Sequence, residues 1–439
     1  MRVLIVVMGV LMAGGVQAQG PSTKQAEAHR PYGPMASGAA ANPYSKAWVY
    51  VNPAFRASVL AAASQSSDKS LADRMLPVGN MPTAIWLERI DAVAPEEGPG
   101  LAKHLDEALA QWKRVRRRGR MAVTLVVYNL PGRDCAASAS NGELLRGELQ
   151  RYQSEFIDPI AAILSQKAYT KLNIAIVLEP DSLPNLVTNM HVRACAASDT
   201  EYRAGITYAI EQLSTLANVR LYLDAGNSGW LGWDHTKRAA ELYRKVIEGA
   251  GGPGKIRGFA TNVSGYNPTF ESFNPYADIN RFMSVIRRFY QWNRVVDEVT
   301  FVDTFRASLG PEYADKGFIV DTARNGWKDS AERPSDRRRH RGNWCNVGGA
   351  GLGKRPQVTG VPGIDAWLWI KPPGESDGTG DPDAPETDGK RHDPECSAAR
   401  ILPGSIWPVS TDATPGAPHA GEWFQAHFEQ LVRNAQPPL

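Results

Sequence analysis

Short apolar runs rich in β-branched residues recur along the chain, at Ala84–Leu87, Val123–Tyr128, Ile174–Leu178, Val219–Leu223, Phe259–Thr261, Phe318–Val320 and Ala366–Ile370. Their apolar residues are continuous rather than alternating, the pattern of strands covered on both faces. Between them apolar positions return every three or four residues, predicting helices over Leu101–Arg118, Leu144–Ser165, Glu201–Ala217, Lys237–Gly249 and Tyr276–Trp292. This alternation of strand and helix predicts a parallel sheet wrapped by helices, either doubly wound or closed into a barrel, with about seven strands. Long Pro- and Gly-rich stretches, 322–364 and 371–420, follow the later strands. Segments of that length commonly form lids or binding walls, so these are expected to enclose the site.

The amino terminus departs from this pattern. Met1-Arg2 precedes an apolar stretch from Val3 to Val16, and Val16-x-Ala18 fits a secretory cleavage site. Residues 1–18 are therefore expected to be a signal peptide, and the protein to be secreted. Residues 19–45, rich in Ala, Gly, Pro, Ser and Gln, read as a flexible lead-in to a single catalytic domain over 46–439. No later stretch is apolar for long enough to cross a bilayer. The net charge of +3 is too small to imply a nucleic acid or a membrane surface as partner, and a monomer is expected.

Four cysteines, Cys135, Cys195, Cys345 and Cys396, lack the close spacing of zinc or redox sites. In an exported chain they read as two disulfides. The sequential pairing, Cys135 with Cys195 and Cys345 with Cys396, is preferred among three connectivities.

Chemistry gathers at the carboxyl ends of the predicted strands. Val123–Tyr128 runs into Asn129-Leu-Pro-Gly-Arg133-Asp134, Ile174–Leu178 into Glu179-Pro-Asp181-Ser, and Val219–Leu223 into Asp224-Ala-Gly-Asn227. Ala366–Ile370 runs into Lys371-Pro-Pro-Gly-Glu375-Ser-Asp377. That rim is where barrel enzymes place their active sites. Any one acid alone reads equally well as a helix cap or an ion pair. Several on one rim repel one another and resist desolvation, which implies a bound cation or paired acid and base work. The eight histidines are scattered away from these motifs, which argues against a metal, and no cofactor is called for. Paired carboxyls suit glycosidic cleavage. Trp230, Trp233, Trp344, Tyr128 and Tyr50 near the same rim offer flat faces for sugar rings. The Gly348–Lys354 segment resembles a phosphate-binding loop, but it lacks the Ser or Thr and follows no strand. No Gly-x-Ser-x-Gly turn follows a strand with a suitable histidine.

The segments VVYNLPGRDCAASASNGE, LEPDSLPNLVTN, YLDAGNSGWLGW, GFATNVSGYN, NWCNVGGAGLGKRP, WIKPPGESDGTGD and WFQAHFEQLVRNAQPPL resemble, in order, glycoside hydrolase family 6. This is a family of cellobiohydrolases and endoglucanases acting on cellulose. The resemblance implies a distorted barrel of seven parallel strands, with long loops covering the cleft, and inverting hydrolysis of β-1,4-glucosidic bonds. It implies Asp181 as general acid, Asp134 as the group that keeps that acid protonated, and Asp377 as the disputed candidate base. Tyr128 would distort the sugar at the cleavage point, and Ser140 would position the attacking water. Trp230, Trp233 and Trp344 would stack on sugars, and Lys371 and Glu375 would anchor substrate. Arg133, Asn227, Asn262 and Tyr50 complete the expected substrate-binding set. The family's cysteine pairing agrees with the sequential one. Many members carry histidine where this chain has Asn227, which can still donate and accept. The stretches Leu183–Tyr202 and Gly378–Gly421 resemble the loop-bearing branch, and PPGESDG its bacterial members, favouring release of cellobiose from chain ends (a cellulose 1,4-β-cellobiosidase). An endo-acting glucanase is the alternative, and a non-catalytic glucan-binding protein a further one.

Overall fold

A computed structural model describes residue 32 and residues 41–96, 98–115, 119–271, 292–327, 340–401 and 408–439. The expected signal peptide, the helix over Tyr276–Trp292 up to its last residue, and the end of Leu101–Arg118 lie outside them.

Strand β1 (Ala47–Val49), which the apolar runs did not include, comes first; the runs then form β2 (Ile85–Leu87), β3 (Arg120–Val127), β4 (Leu172–Leu178), β5 (Val219–Asp224), β6 (Gly258–Thr261) and β7 (Gly317–Asp321). Then come β8 (Gln357–Val358), β9 (Ile364–Leu368) and a separate hairpin of β10 (Ala399–Ile401) and β11 (Pro408–Ser410). The main sheet runs β3-β4-β5-β6-β7-β9 with every pairing parallel. Both β1 and β2 pair with β3: β1 along its first residues, β2 along its last. The curled sheet closes through one parallel bridge, Thr83 to Trp369, where the Ala84 amide donates to the Trp369 carbonyl at 3.2 Å. Seven parallel strands therefore ring the centre, with a seam one bridge wide, as expected of a distorted barrel.

The strands are apolar on both faces because each face meets a different core. Met121, Val123, Leu125, Ile174, Ile176, Leu221 and Phe259 point outward to the helix layer. That layer includes Leu101–Arg114, Arg193–Leu213, Thr236–Gly249 and Glu298–Leu309. Ala122, Val126, Ala175, Val177, Tyr222, Ile319 and Leu368 fill the barrel. This is the two-residue period of a strand realised as two cores.

Several boundaries moved for identifiable reasons. The strand expected at Ala366–Ile370 begins two residues earlier, because its register with β7 slips between Phe318 and Ile319 and leaves Asp365 as the extra residue of a bulge. Asp365 there accepts from the Tyr222 hydroxyl at 2.8 Å and pairs with Arg257 at 2.7 Å. The helix expected from Leu144 starts at Leu149, since Gly147 takes φ +95° and breaks the preceding turn. The end of the expected flexible lead-in belongs to the packed fold: Tyr44 is fully buried inside the barrel, its hydroxyl 2.8 Å from Thr124 Oγ1. The 183–202 stretch is mainly helix rather than loop, formed by Ser182–Thr188 and the start of Arg193–Leu213.

Candidate active site

The carboxyl ends of the strands open into a cavity of about 560 Å³. Tyr128, Asp134, Asp181, Asn227, Trp230, Trp233, Trp344, Lys371, Asp377 and Ser140 all line it. Ten of the positions singled out from sequence, drawn from five loops, thus share one chamber.

The loop after β3 carries Asp134 with φ +57°, a conformation that costs energy for a side-chain-bearing residue and must be held by its surroundings. Arg133 holds it. Its guanidinium donates to the Ser140 carbonyl at 2.9 Å, the Glu88 carbonyl at 2.6 Å and the Tyr128 carbonyl, and lies 4.3 Å from the centre of the Tyr128 ring. Asn141 Nδ2 donates to the carbonyls of Arg133, Asp134 and Ala137 at 3.0–3.2 Å. The disulfide Cys135–Cys195 ties this loop to the helix behind the Asp181 motif, and Cys345–Cys396 ties the Trp344 loop to the β9 loop. These are the sequential pairs. Closing loops of 60 and 51 residues restricts the unfolded chain by roughly 4 kcal/mol each. Above the seam, the loops after β2 and β3 latch to the β9 loop. The Ser138 amide donates to Asp393 at 2.7 Å, Arg391 to Asn141 at 3.2 Å, and Lys390 to Glu88 at 2.9 Å.

At the end of β4, Glu179 is buried and accepts from the amides of Asn129 and Leu130, each at 3.2 Å, and from the Tyr152 hydroxyl at 2.8 Å. It splices the β3 and β4 ends together. Two residues on, Asp181 takes φ +65° at the head of helix Ser182–Thr188, and its carboxyl makes no capping bond. The structural reading of this aspartate as a helix cap therefore fails, and its carboxyl is left to the cavity. Asp224, at the end of β5, accepts the Asp181 amide at 2.9 Å and the Gly226 amide at 3.2 Å through Oδ2. Burial pushes the Asp224 carboxyl up to about 7. Burial, and then the charges of Asp224, Asp134 and Asp377, hold the Asp181 carboxyl well above the usual carboxylate range. Burial also raises Asp134 to about 6, against the opposing pull of Arg133 and a hydrogen bond with Tyr128.

Asp377 is in a different situation. Its Oδ1 pairs with Arg324 Nη1 at 2.8 Å, and its Oδ2 accepts from the Tyr266 hydroxyl at 2.7 Å and the Asn346 amide at 2.8 Å. Both oxygens are engaged and the partner charge is 1 % exposed. Asp321, at the end of β7, knits the rim by accepting from the amides of Ala323, Ile370, Lys371 and Ser264.

Four expected substrate contacts stand elsewhere. Tyr50 is not on the rim: β1 pairs with the first residues of β3, Val49 with Ala122, so Tyr50 lies low on the barrel, its hydroxyl 3.0 Å from His104 Nδ1. Arg133 and Asn262 are buried and hold backbone: the Asn262 amide donates to Asn267 O at 3.3 Å and Asp321 O at 2.9 Å. Glu375 does not line the cavity. It pairs at 3.3 Å with Lys371, which does line it, with Nζ 5.1 Å from the centre of the Trp86 ring. Sequence reasoning passed over Arg324, Tyr266, Trp86 and Glu88. The strand-end rule that found Asp181 leads equally from β7 to Asp321 and Arg324, and from β2 to Glu88.

The buried acids make stability depend on pH. Asp134 and Asp321 are raised to about 6, and Glu179, Asp224 and Glu298 to about 7, in each case first by burial. Unfolded, such groups ionise near 4. The folded chain therefore holds more protons than the unfolded one between about pH 4 and 7, so these groups stabilise the fold below that window and lose the contribution as pH rises through it. Melting curves should show a lower transition at pH 8 than at pH 5.

The model of "Glycosyl hydrolases family 6" matches residues 44–435. Exoglucanase A of Cellulomonas fimi is 42% identical over 429 residues, covering 91% of this chain and 49% of the relative. The chain thus spans about half the length of that relative. The 1,4-beta-D-glucan cellobiohydrolase CEL6C of Podospora anserina is 39% identical, covering 98% of this chain and 97% of the relative. Among solved structures, the catalytic domain of Cellulomonas fimi Cel6B superposes with a TM-score of 0.83 at 41% identity, over 90% of this chain and 95% of that one.

Proposed function

This chain belongs to glycosyl hydrolases family 6, and from that membership we propose that it is a cellulose 1,4-β-cellobiosidase that hydrolyses β-1,4-glucosidic bonds with inversion, releasing cellobiose from chain ends. The observation that carries the reading is Asp181: an uncapped carboxyl on a strained strand end, held protonated by burial and by neighbouring acids. The names of its relatives, an exoglucanase and a cellobiohydrolase, support action on cellulose chains.

In this proposal Asp181 donates its proton to the glycosidic oxygen as the bond breaks. Asp134 and Asp224 keep it protonated until then. Tyr128, packed edge-on against Trp86 with ring centres 5.8 Å apart, presses on the sugar at the cleavage point. Trp230, Trp233 and Trp344 stack on neighbouring glucose units, and Lys371, oriented by Glu375, binds hydroxyls. Asp377, with both oxygens engaged, supplies a fixed negative charge to the oxocarbenium-like transition state. The attacking water, positioned near Ser140, passes its proton outward through further water. Residues 1–18 direct export and are removed, and residues 46–439 act as one secreted, monomeric catalytic domain with neither nucleic acid nor membrane as partner.

The test is to follow products from amorphous cellulose by chromatography and their anomeric form by proton resonance in the first minutes. Cellobiose released first as the α-anomer is expected. Mixed longer oligomers would make it an endoglucanase, and a β-anomer would overturn the mechanism.

The alkaline limb of the rate profile should report Asp181. Activity falls as pH rises through its raised pKa, because the ionised acid has no proton to give. Asp224→Asn removes a negative neighbour and so eases that ionisation. In pH–rate profiles of kcat the alkaline limb should therefore move to lower pH, and an unmoved limb would exclude Asp224 from this role.

A further inference from the structure

Asn227 lines the cavity on the same loop as Trp230 and Trp233, and its amide polarity is set by residues behind it. The chain of constraints begins at Asn262. Its Nδ2 donates to two carbonyls, Asn267 O and Asp321 O, and its Oδ1 accepts the Asn267 amide at 3.1 Å. Both ends of that side chain are thereby assigned by backbone groups, which cannot exchange roles. Asn262 Oδ1 also lies 3.5 Å from Asn267 Nδ2, so the Asn267 amino group must face it. The outer end of this amide lies beside Gly229, where a Cβ would come within 2.6 Å of Asn267 Oδ1 and 3.1 Å of its Nδ2. With Asn267 so oriented, its Nδ2 donates to Asn227 Oδ1 at 2.8 Å. The Asn227 oxygen is engaged, and its amino group has no partner among the described residues.

We infer that Asn227 presents only hydrogen-bond donors to the bound sugar, its polarity imposed by Asn262 and Asn267, and that this loop therefore selects a hydroxyl able to accept. The inference rests on the cavity being a glucan site. Asn262 and Asn267 are positioning residues, acting through Asn227. Because every member of the relay is a neutral amide, the preference is independent of pH.

Fluorine accepts weakly and cannot donate, whereas hydrogen does neither, so deoxyfluoro and deoxy sugars separate a donor from an acceptor. The experiment measures calorimetric affinities of cellotetraose and its monodeoxy and monodeoxyfluoro analogues, one hydroxyl at a time, on an Asp181→Ala background that leaves them uncut. At one hydroxyl the fluoro analogue should bind at least threefold more tightly than the deoxy analogue, and Asn227→Ala should abolish that difference. Asn267→Asp should reverse it: the carboxylate draws the Asn227 amino group back and turns its oxygen to the sugar, making the fluoro analogue the weakest ligand. If Asn267→Asp does not fold, as a melting curve would reveal, the Asn227→Ala comparison still decides. Fluoro and deoxy analogues equally weak at every hydroxyl, with Asn227→Ala weakening cellotetraose itself, would overturn the donor assignment and leave the glucan reading intact. So would Asn227→Ala leaving all affinities unchanged. Failure of cellotetraose to bind the parent protein would overturn the glucan reading instead.

Discussion

Asp181→Ala should lower kcat on unactivated cellooligosaccharides by about a thousandfold or more while leaving their binding within a few fold of the parent protein. General acid catalysis contributes on the order of 10²–10⁴-fold, and alkoxide departure from glucose has no easier route. The structure predicts where the loss will fall. The Asp181 backbone amide, not its side chain, is held by Asp224, and no capping bond depends on the carboxyl. Removing the side chain therefore takes away the proton donor without loosening helix Ser182–Thr188, and also relieves the crowding of acids that raises its neighbours. The loss should shrink on substrates with a leaving group acidic enough to depart unassisted, such as a nitrophenyl glycoside. Steady-state kinetics on both substrate types, with calorimetric affinities, make the check. Equal losses on both would assign Asp181 to binding, and no turnover in the parent protein would make the chain a glucan-binding protein.

Arg324→Leu should cost about 3–5 kcal/mol of folding stability, read from urea or thermal unfolding. The guanidinium is 1 % exposed, sits 2.8 Å from Asp377 Oδ1, packs 4.4 Å from the centre of the Tyr266 ring and donates to the Ser264 carbonyl. Its removal leaves Asp377 as an uncompensated charge at the floor of the cavity, where the Tyr266 hydroxyl and the Asn346 amide supply only dipoles. The double variant Arg324→Leu with Asp377→Asn removes both charges and should regain most of the stability without regaining activity. That split separates the structural work of the ion pair from the fixed negative charge that Asp377 gives to the reaction. A single variant within about 1 kcal/mol of the parent would show that Asp377 is not held as a buried anion.

Both predictions draw on residues with different histories. Asp181 was legible in the sequence because an apolar run that ends in Glu-Pro-Asp locates a carboxyl at a strand's carboxyl end, and a parallel barrel gathers all such ends on one rim. The same logic found Asp134, Asp377 and Lys371, and reached Asp224 as an acid though not its hold on the Asp181 amide. Arg324 follows β7 at a place the same rule reaches, but its role comes from pairing with Asp377, which the sequence does not show; Tyr266 was hidden because the carboxylate it serves is 111 residues away. Tyr50 was misplaced for a related reason. Standing just after a strand reads as rim position only if that strand reaches the rim, and β1 pairs with the beginning of β3 rather than its end.

Period and polarity along the chain, which are local properties, were enough to determine about seven buried strands, their common direction, the rim of acids and the cysteines able to pair, while the barrel came from the family resemblance. What only the tertiary structure decided is register and burial: the bulge at Asp365, the seam closed by a single bridge, the saturation of Asp377, and the amide relay behind Asn227. Hydrogen bonds and charge pairs act over about 3 Å, so a shift of one residue between neighbouring strands exchanges every partner. No local pattern carries that information, and closure of the barrel supplies it.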